Sequence, residues 1–196
     1  MQKSKPNIIT NEMISVHKLI PHVQNFYDVS DIADLKDSIE MFGVKQNLVV
    51  VKVIGQDQYR VIAGHRRMLA VRSLVDDGKN EFEMVPCRVE PENIDKIKEE
   101  LLLIYTNSTT RQLSNYEKIE QFNRMKLLIA EYKKTNSIPG RIRELVADAL
   151  QISPAAVGRI EQVEKNLTPE FKEELKKENI SMDTAVELSK MSKDDQ

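Results

Sequence analysis

The pattern of apolar and polar positions in the first half of the chain alternates between two periods. Alternating or continuous β-branched runs predict strands, and apolar residues recurring every three or four positions predict amphipathic helices. The predicted strands cover 13–21, 48–54, 59–63 and 83–89. The predicted helices cover 31–42 and 65–75. Residues 1–12 are polar and aperiodic, and they predict a flexible tail.

Glycine and proline mark the ends of these elements. Gly43 is expected to stop the first helix, and the turn at 55–57 joins two strands into a hairpin. Pro86 lacks a backbone N–H, which favours an edge position for the strand at 83–89.

Strand patterns disappear in the second half of the chain. Helices are predicted at 94–105, 115–134, 141–150, 154–164, 169–177 and 182–190. Strands interleaved with helices and then helices alone predict a fold of class α+β joined to an all-α domain. We expect the first domain to span 13–106 and the second to span 107–196.

Composition excludes several classes of protein. With 40% hydrophobic residues the 196-residue chain can build true cores. It has no apolar run near 18 residues, and its first residues lack the apolar stretch of a secretory signal, so we expect a cytoplasmic protein without a membrane span. Cys87 is the single cysteine, and His17, His22 and His65 lack metal-ligand spacing, so neither an internal disulfide nor a metal site is predicted.

Charge is segregated along a chain of net charge −2. The segment 111–160 has nine Lys/Arg against five Asp/Glu, a surplus of +4, whereas 161–196 has six against ten, a deficit of −4. The basic segment is the candidate phosphate-facing part. Ordinary solvated helix faces are the alternative interpretation.

The strand-to-helix turn Ala63-Gly64-His65-Arg66-Arg67 is a candidate anion site. A helix start presents unpaired N–H groups and the positive end of the helix dipole. Between Arg60 and Val75 there are four arginines and no acidic residue, so a phosphate would meet donors with no competing carboxylate nearby in sequence. A capped helix with surface arginines is the alternative.

A helix-turn-helix pattern occupies 143–160. Two short helices flank Gln151-Ile152-Ser153, with Ser153 as N-cap and Pro154 at the first helical position. The outward side chains of the second helix are small apart from Arg159, which suits a helix lying in the DNA major groove. A structural helical hairpin is the alternative. The candidate DNA-binding residues are Arg141, Arg143, Ser153, Ala155, Ala156 and Arg159.

The polar stretch at 107–113 is predicted as a loop between the two domains, where ligand sites commonly lie. Ser114 and Glu117 have the spacing of a capping box that opens the next helix.

In order and spacing, these features resemble the ParB family of plasmid and chromosome partition proteins over roughly 13–196. The matching segments are Leu19-Ile20-Pro21, Gly43 to Asn47, Gly64-His65-Arg66-Arg67, Thr106 to Arg111, the helix-turn-helix and Ile180 to Ala185. The resemblance implies a small mixed-sheet, sulfiredoxin-like N-terminal domain followed by a helix-turn-helix domain that binds a centromere-like DNA site.

The resemblance also implies CTP as a ligand of the N-terminal domain. The nucleotide-binding residues that it implies are Gln46, Gly64, His65, Arg66, Arg67, Asn107 and Arg111. The implied partners are specific double-stranded DNA, a second copy of the chain in a homodimer or a nucleotide-dependent assembly, and a Walker-type partition ATPase. The implied location is the nucleoid or a plasmid.

Two residues depart from the family pattern. Gly64-His65-Arg66-Arg67 resembles the family's Gly-Glu-Arg-Arg segment and is called the arginine box below. His65 replaces the glutamate of this box, and Thr106 replaces the acid that assists Mg²⁺ in the family. Because Mg²⁺ needs hard oxygen ligands, we expect CTP binding with weak hydrolysis at most. Family members usually continue into a C-terminal dimerisation segment, which we expect to be missing from this sequence, so stable dimerisation is not assumed.

Three other functions are open to a chain of this kind. A ParB-like gene regulator without a partition role fits the same residues. A metal-dependent nuclease needs clustered acidic residues to hold the ion. The nearest acids to the box are Asp76, Asp77 and Glu81, but Asp-Asp-Gly after a helix is more simply interpreted as a turn. Sulfiredoxin chemistry needs a cysteine between the glycine and the His-Arg pair, and Cys87 lies in a different strand.

Overall fold

The computed structural model describes residues 8–92, 94–110 and 113–196. The chain divides into two compact units, which meet between Leu103 and Ile104 inside one helix. The first unit contains a five-stranded mixed sheet with helices, and the described residues of the second form helices and no strand. The prediction of an α+β domain followed by an all-α domain is therefore confirmed. No helix of the described ranges is long and apolar enough to span a membrane.

The sheet of the first unit has the strand order β1-β5-β3-β4-β2. Its strands are β1 (Thr10–Ser15), β2 (Leu19–Pro21), β3 (Leu48–Lys52), β4 (Tyr59–Ala63) and β5 (Met84–Glu90). The pairs β1/β5 and β3/β4 are antiparallel, whereas β3/β5 and β2/β4 are parallel. The predicted hairpin is thus the β3/β4 pair at the centre of the sheet.

The single strand predicted over 13–21 is wrong in one respect. A 3-10 turn at Val16–Lys18 divides it into β1 and β2, which lie at opposite edges of the sheet. Val16 and Leu19 are both fully buried, and the N–H of Val16 donates to the carbonyl of Glu83 at 2.8 Å. Burial of both apolar side chains and this bond stabilise the turn, which no periodicity in the sequence indicates. Residues 10–12, placed in the tail by their polarity, belong to β1.

The edge position predicted for the strand around Pro86 is also wrong. β5 lies between β1 and β3, and Pro86 is paired with Met13 of β1. The pairing of β5 with β3 begins one residue later, at Cys87 opposite Leu48. Pro86 therefore has a neighbouring strand on one side, where a missing N–H is tolerated as it is at a sheet edge.

Two helices cover one face of the sheet, α1 (Ala33–Phe42) and α2 (His65–Asp76). They enclose a core drawn from all strands, including Ile39 of α1, Leu48 and Val50 of β3, Val61 of β4 and Met68 of α2. Gly43 ends α1 with a φ of 73°, as its position in the sequence predicts.

The opposite face of the sheet is covered where α3 (Lys96–Thr110) begins. Arg60 and Ile62 alternate with the core residue Val61 along β4, so their side chains lie on this second face. Ile62 is fully buried, and Arg60 donates two hydrogen bonds to Glu99 in the first turn of α3. The second face is therefore where ionic contacts join α3 to the sheet.

The second unit is built around a long helix, α4 (Asn115–Thr135). The other helices are α5 (Ile142–Leu150), α6 (Pro154–Asn166), α7 (Pro169–Lys176) and α8 (Met182–Leu188). The predicted capping box opens α4, since Glu117 N–H donates to Ser114 Oγ at 3.1 Å and Ser114 N–H donates to Glu117 Oε2 at 3.0 Å. Phe122 and Met125 of α4 are among the most deeply buried side chains of the core of this unit.

The turn from β4 into α2 requires glycine at position 64. Gly64 has a φ of 99°, and a Cβ there would lie 2.9 Å from Cγ of the fully buried Leu48. Gly78, after α2, has a similar φ of 89° but open space around it. A side chain at Gly78 would therefore cause backbone strain alone, whereas a side chain at Gly64 would cause both backbone strain and steric crowding.

We expect Gly64→Ala to lower the free energy of unfolding by about 2–4 kcal/mol and Gly78→Ala by about 1 kcal/mol. Both variants incur the cost of a side chain at positive φ, and only the first also crowds Leu48. Urea unfolding followed by circular dichroism measures both values. Equal costs would contradict the close packing of Gly64 on β3.

Candidate functional site

The arginine box begins at the N-terminus of α2, where Gly64 is the N-cap residue in the left-handed conformation. Arg67 folds back over Gly64, with Cζ 3.4 Å from where a Cβ would stand. Its Nη1 donates to the carbonyls of Gln46 at 2.5 Å and Asn47 at 2.9 Å. The structure thus brings together Gln46, Gly64 and Arg67 of the predicted nucleotide-binding set.

Arg66 reaches in another direction, to the segment before α1. Its Nε donates to the carbonyl of Asp31 at 2.8 Å, its Nη2 donates to the same oxygen, and the Asp31 carboxylate lies 3.9 Å away. The side chain remains 39% exposed. Arg66 and Arg67 therefore hold the two segments that flank the start of α2, and each retains guanidinium N–H groups beyond those used in these bonds.

His65 points inward, away from the surface on which Arg66 lies. Its side chain is buried, and Nε2 accepts a hydrogen bond from the N–H of His22 at 3.2 Å. Burial, reinforced by the neighbouring His22, lowers the pKa of His65 to about 4. The ring is therefore neutral near pH 7, so it contributes no positive charge for a phosphate, and its placement is that of a residue that positions the helix start.

His22 connects this histidine to a buried carboxylate. Its Nδ1 accepts a hydrogen bond from Gln24 N–H at 3.0 Å, and its Nε2 lies 3.3 Å from Glu99 Oε1. Glu99 also accepts from Nε of Arg60 at 2.5 Å and from Nη2 at 2.9 Å. Burial alone would raise the pKa of Glu99, but the bonds from His22 and Arg60 outweigh it and hold that pKa at about 2.

The segment from Arg60 to Val75 contains no acidic residue, but the fold brings Glu99 into contact with it. Glu99 lies 39 residues from Arg60 in sequence, yet it pairs with that arginine in the fold. Sequence reasoning missed both Glu99 and His22, because no local pattern distinguishes a buried, paired glutamate from a solvated one.

The rest of the predicted nucleotide-binding set lies in other parts of the chain. Asn107 is on α3 beyond the division between the units, and Arg111 lies outside the described residues. The loop predicted from residue 107 onward is wrong as far as Thr110, because α3 continues to that residue. Ser108 Oγ donates to the carbonyl of Tyr105 at 2.7 Å, which is how a hydroxyl side chain is accommodated within a helix.

The helix-turn-helix pattern forms α5 and α6 of the second unit. Ser153 Oγ accepts a hydrogen bond from Ala156 N–H at 3.1 Å, and Pro154 occupies the first turn of α6, as the sequence predicts. Gln151 ends α5 with a φ of 54°, and the N–H of Ile152 donates to the carbonyl of Ala147 at 3.0 Å. A glutamine thus adopts the left-handed conformation for which helix ends usually use glycine.

The candidate DNA-binding residues separate into exposed and internally bonded groups. Ser153, Ala155 and Arg159 are exposed on α6, and Ala156 is half-buried. Arg143 turns onto α6: its Nη2 donates to the carbonyl of Pro154 at 3.1 Å, and its Nε lies 3.7 Å from Glu161. Arg141 is exposed at the start of α5, where its N–H donates to Glu144 Oε2 at 3.2 Å.

Gly158 makes the position of Arg143 sterically feasible. A Cβ at position 158 would overlap the guanidinium of Arg143, so the absence of a side chain there lets Arg143 lie against α6. Arg143 therefore braces the two helices of the motif in this structure, and Arg159 is the long basic side chain on the exposed face of α6.

Arg159 has a partner that the sequence did not indicate. Its Nη2 forms an ion pair with Oδ1 of Asp183 in the first turn of α8, 24 residues along the chain. Both side chains are solvent-accessible, 48% for Arg159 and 83% for Asp183.

The structure also bears on the enzyme alternatives. Cys87 is fully buried, and burial raises the pKa of its thiol to about 12. A thiol with such a pKa is almost entirely protonated near pH 7 and is a poor nucleophile. Across the described part of the chain, no three His, Cys, Asp or Glu side chains cluster as ligands for a metal ion.

Residues 2–99, half of the chain, match the family model described as the ParB N-terminal domain. No curated protein sequence matches the chain. Solved structures of ParB proteins are similar to it, three of them at 16% to 18% sequence identity.

The first similar structure is the C-terminally truncated chromosome-partitioning protein ParB from Caulobacter crescentus complexed to the centromeric parS site. Its TM-score is 0.63 at 16% identity, and the match covers 94% of this chain and 86% of that chain. The C2221 form of the Pnob8-like ParB-N domain has a TM-score of 0.68 at 16% identity, covering 93% and 80%. The Caulobacter protein complexed with CTP-gamma-S has a TM-score of 0.42 at 18% identity, covering 93% of both chains. The first two likenesses show a shared fold.

We expect the stability of the N-terminal unit to fall as the pH drops from 6.5 towards 4. The folded-state pKa of His65, about 4, lies below its ordinary value of 6.5, so the unfolded chain takes up a proton in this window and the folded chain does not. The contribution of the neutral His65 ring to the free energy of unfolding is fully present above pH 6.5. Between pH 7 and pH 4.5 the free energy of unfolding should fall by on the order of 2 kcal/mol. The corresponding loss from Glu99 begins only below pH 4.5.

Urea unfolding of the full chain across this range measures the effect. His65→Gln retains an acceptor for His22 N–H and removes the titration, so its stability should depend less on pH than that of the wild type. His17→Gln, at an exposed histidine, is the matched control and should behave like the wild type. Parallel pH profiles for wild type and His65→Gln would contradict the buried neutral ring.

Proposed function

The chain belongs to the ParB N-terminal domain family, and we propose that it is a partition protein that binds a specific, centromere-like site in double-stranded DNA. The observation that supports this most directly is the pair α5 and α6, a capped helix-turn-helix with small residues and Arg159 on its exposed face. A second helix of this kind fits the major groove, where arginine recognises guanine. The DNA complex of the Caulobacter protein of the same fold gives this proposal a precedent.

In this proposal the two units have separate tasks. The helical domain predicted over 107–196 reads the DNA site, and the domain predicted over 13–106 binds a nucleotide that regulates self-association. The protein acts in the cytoplasm on the nucleoid or a plasmid, with a second copy of the chain and a Walker-type ATPase as partners. The inert thiol of Cys87 argues against sulfiredoxin chemistry as a second function.

For the nucleotide we propose CTP, bound at the start of α2. Gly64 opens α2, whose first backbone N–H groups are donors suited to a phosphate, and Arg66 and Arg67 lie on two sides of this helix start. Both arginines already donate to backbone carbonyls, so a phosphate either uses their remaining N–H groups or exchanges with those carbonyls. The preference for cytosine, and the inclusion of Asn107 and Arg111 among the proposed nucleotide-binding residues, rest on family membership alone. Mg²⁺ would neutralise phosphate charge there.

DNA recognition by α6 predicts a loss of affinity in Arg159→Ala. A duplex selected from a random pool by the wild-type chain should bind the variant more weakly by roughly 1–3 kcal/mol, with affinity falling steeply as salt rises. Fluorescence anisotropy measures both effects. Arg88→Ala, which removes an exposed arginine from β5 of the other unit, is the control and should bind as the wild type does. If Arg159→Ala binds the duplex as the wild type does and Arg88→Ala loses affinity, the N-terminal unit recognises DNA and the proposal is wrong.

Nucleotide binding predicts a preference for CTP over UTP, ATP and GTP in isothermal titration. Arg66→Ala and Arg67→Ala should each weaken CTP binding about ten- to a hundredfold, because each removes a charge-assisted donor. Arg66→Lys retains the charge without the planar fork and should recover part of the loss. Arg159→Ala, titrated without DNA, should bind CTP normally.

Turnover of CTP should be slow, because Thr106 offers a hydroxyl where Mg²⁺ usually finds a carboxylate. Phosphate release measures it. If no nucleotide binds with or without Mg²⁺ and the selected duplex, the arginine box is a structural element and the regulatory part of the proposal fails. Rapid turnover would instead contradict the role inferred for Thr106.

A further inference from the structure

An ion pair joins the exposed face of α6 to the first turn of α8. Arg159 is the long cation on that face, and its guanidinium is bonded to the carboxylate of Asp183. The residue best placed to read DNA therefore already has an anionic partner within the protein. That partner belongs to the segment 161–196, which has a net charge of −4.

The position of Asp183 is determined by the packing of α8 on α6. Gln162 of α6 donates from Nε2 to Ser189 Oγ at 2.9 Å and to the carbonyl of Val186 at 3.4 Å, and Ser189 is buried. Ser181 caps α8 by accepting from Thr184 N–H at 3.1 Å. These contacts hold the start of α8 beside Arg159, so the ion pair is a consequence of the fold.

Arg159 can leave Asp183 without disturbing the core. Both side chains are solvent-accessible, and they line a pocket of about 470 Å³ that gives the guanidinium room to move. Exposed ion pairs of this type contribute little to stability. A guanine edge, whose O6 and N7 together accept a bidentate pair of hydrogen bonds from a guanidinium, can therefore displace the carboxylate.

We propose that Asp183 is an autoinhibitory residue whose carboxylate competes with DNA for Arg159. The inference rests on the proposed DNA-binding function of α6. On DNA without the correct base, Arg159 stays paired with Asp183 and makes no contact with the duplex, so binding is weakened. At a cognate site, the contact of Arg159 with a base edge compensates for the lost ion pair. Asp183 therefore increases the difference in affinity between the cognate site and other DNA.

The test compares four chains on one mixed-sequence duplex at constant salt: wild type, Asp183→Asn, Arg159→Ala and the double variant. Asp183→Asn retains the shape of the side chain and removes its charge. Glu187→Gln is the matched control, since Glu187 lies one turn further along α8, is 71% exposed and pairs with Lys190 at 2.6 Å. It removes the same charge from the same helix without touching Arg159.

Asp183→Asn should bind the duplex roughly three- to tenfold more tightly than the wild type, and Glu187→Gln should change binding less than about twofold. In the Arg159→Ala background, Asp183→Asn should have almost no effect, because the residue acts through Arg159.

Three results would overturn the proposal. Equal tightening by Asp183→Asn and Glu187→Gln would show a net-charge effect alone. Tightening that persists without Arg159 would show that Asp183 acts on DNA directly. Weaker binding by Asp183→Asn would show that the carboxylate orients Arg159 for recognition. If none of the chains binds any duplex, the proposed function itself fails, and this inference fails with it.

Discussion

The turn between β4 and α2 leaves no space for a side chain at Gly64, and the arrangement of the arginine box depends on that constraint. The left-handed backbone of Gly64 places the start of α2 against Leu48 of β3. Arg67 can then lie over the glycine and bond the backbone of Gln46 and Asn47, while Arg66 reaches Asp31. On the inner side, the same turn puts His65 against the backbone of His22. One backbone conformation thus positions three consecutive side chains towards three different segments.

Internal pairing of cations is a common feature of both candidate sites. Arg60 bonds Glu99, Arg66 and Arg67 bond backbone carbonyls, Arg143 bonds the carbonyl of Pro154, and Arg159 pairs with Asp183. An anion that replaces Asp183 at Arg159, or a carbonyl at Arg66 or Arg67, therefore exchanges one partner for another, and its binding free energy is a difference between two sets of bonds. The affinity then depends on how well the incoming ligand matches the geometry that the protein already satisfies.

The sequence predicts features that depend on neighbouring residues. The helices, the β3/β4 hairpin, the glycine at the end of α1 and the cap of Ser153 on α6 all follow from local periodicity or local chemistry, and the structure confirms them. Gln151 ends α5 in the left-handed conformation although it is not a glycine, and the hydrogen bond from Ile152 N–H to the carbonyl of Ala147 closes the helix end.

Features that depend on residues distant in sequence could not be predicted from local patterns. The 3-10 turn that sends β1 and β2 to opposite edges is stabilised by Glu83, almost seventy residues away in sequence. Glu99 and Asp183 have no distinguishing local pattern, and only the fold brings them to Arg60 and Arg159. The inward orientation of His65 likewise depends on His22, so a residue that the sequence places among nucleotide ligands lies in the interior.

In the proposed function, the helical unit directs the protein to one centromere-like locus. Chromatin immunoprecipitation with sequencing of the wild-type chain and Arg159→Ala in the native host tests it most directly. We expect one cluster of strong peaks for the wild type, near a partition ATPase gene, and loss of that cluster in the variant. Peaks scattered over many promoters, or a cluster unaffected by Arg159→Ala, would contradict it.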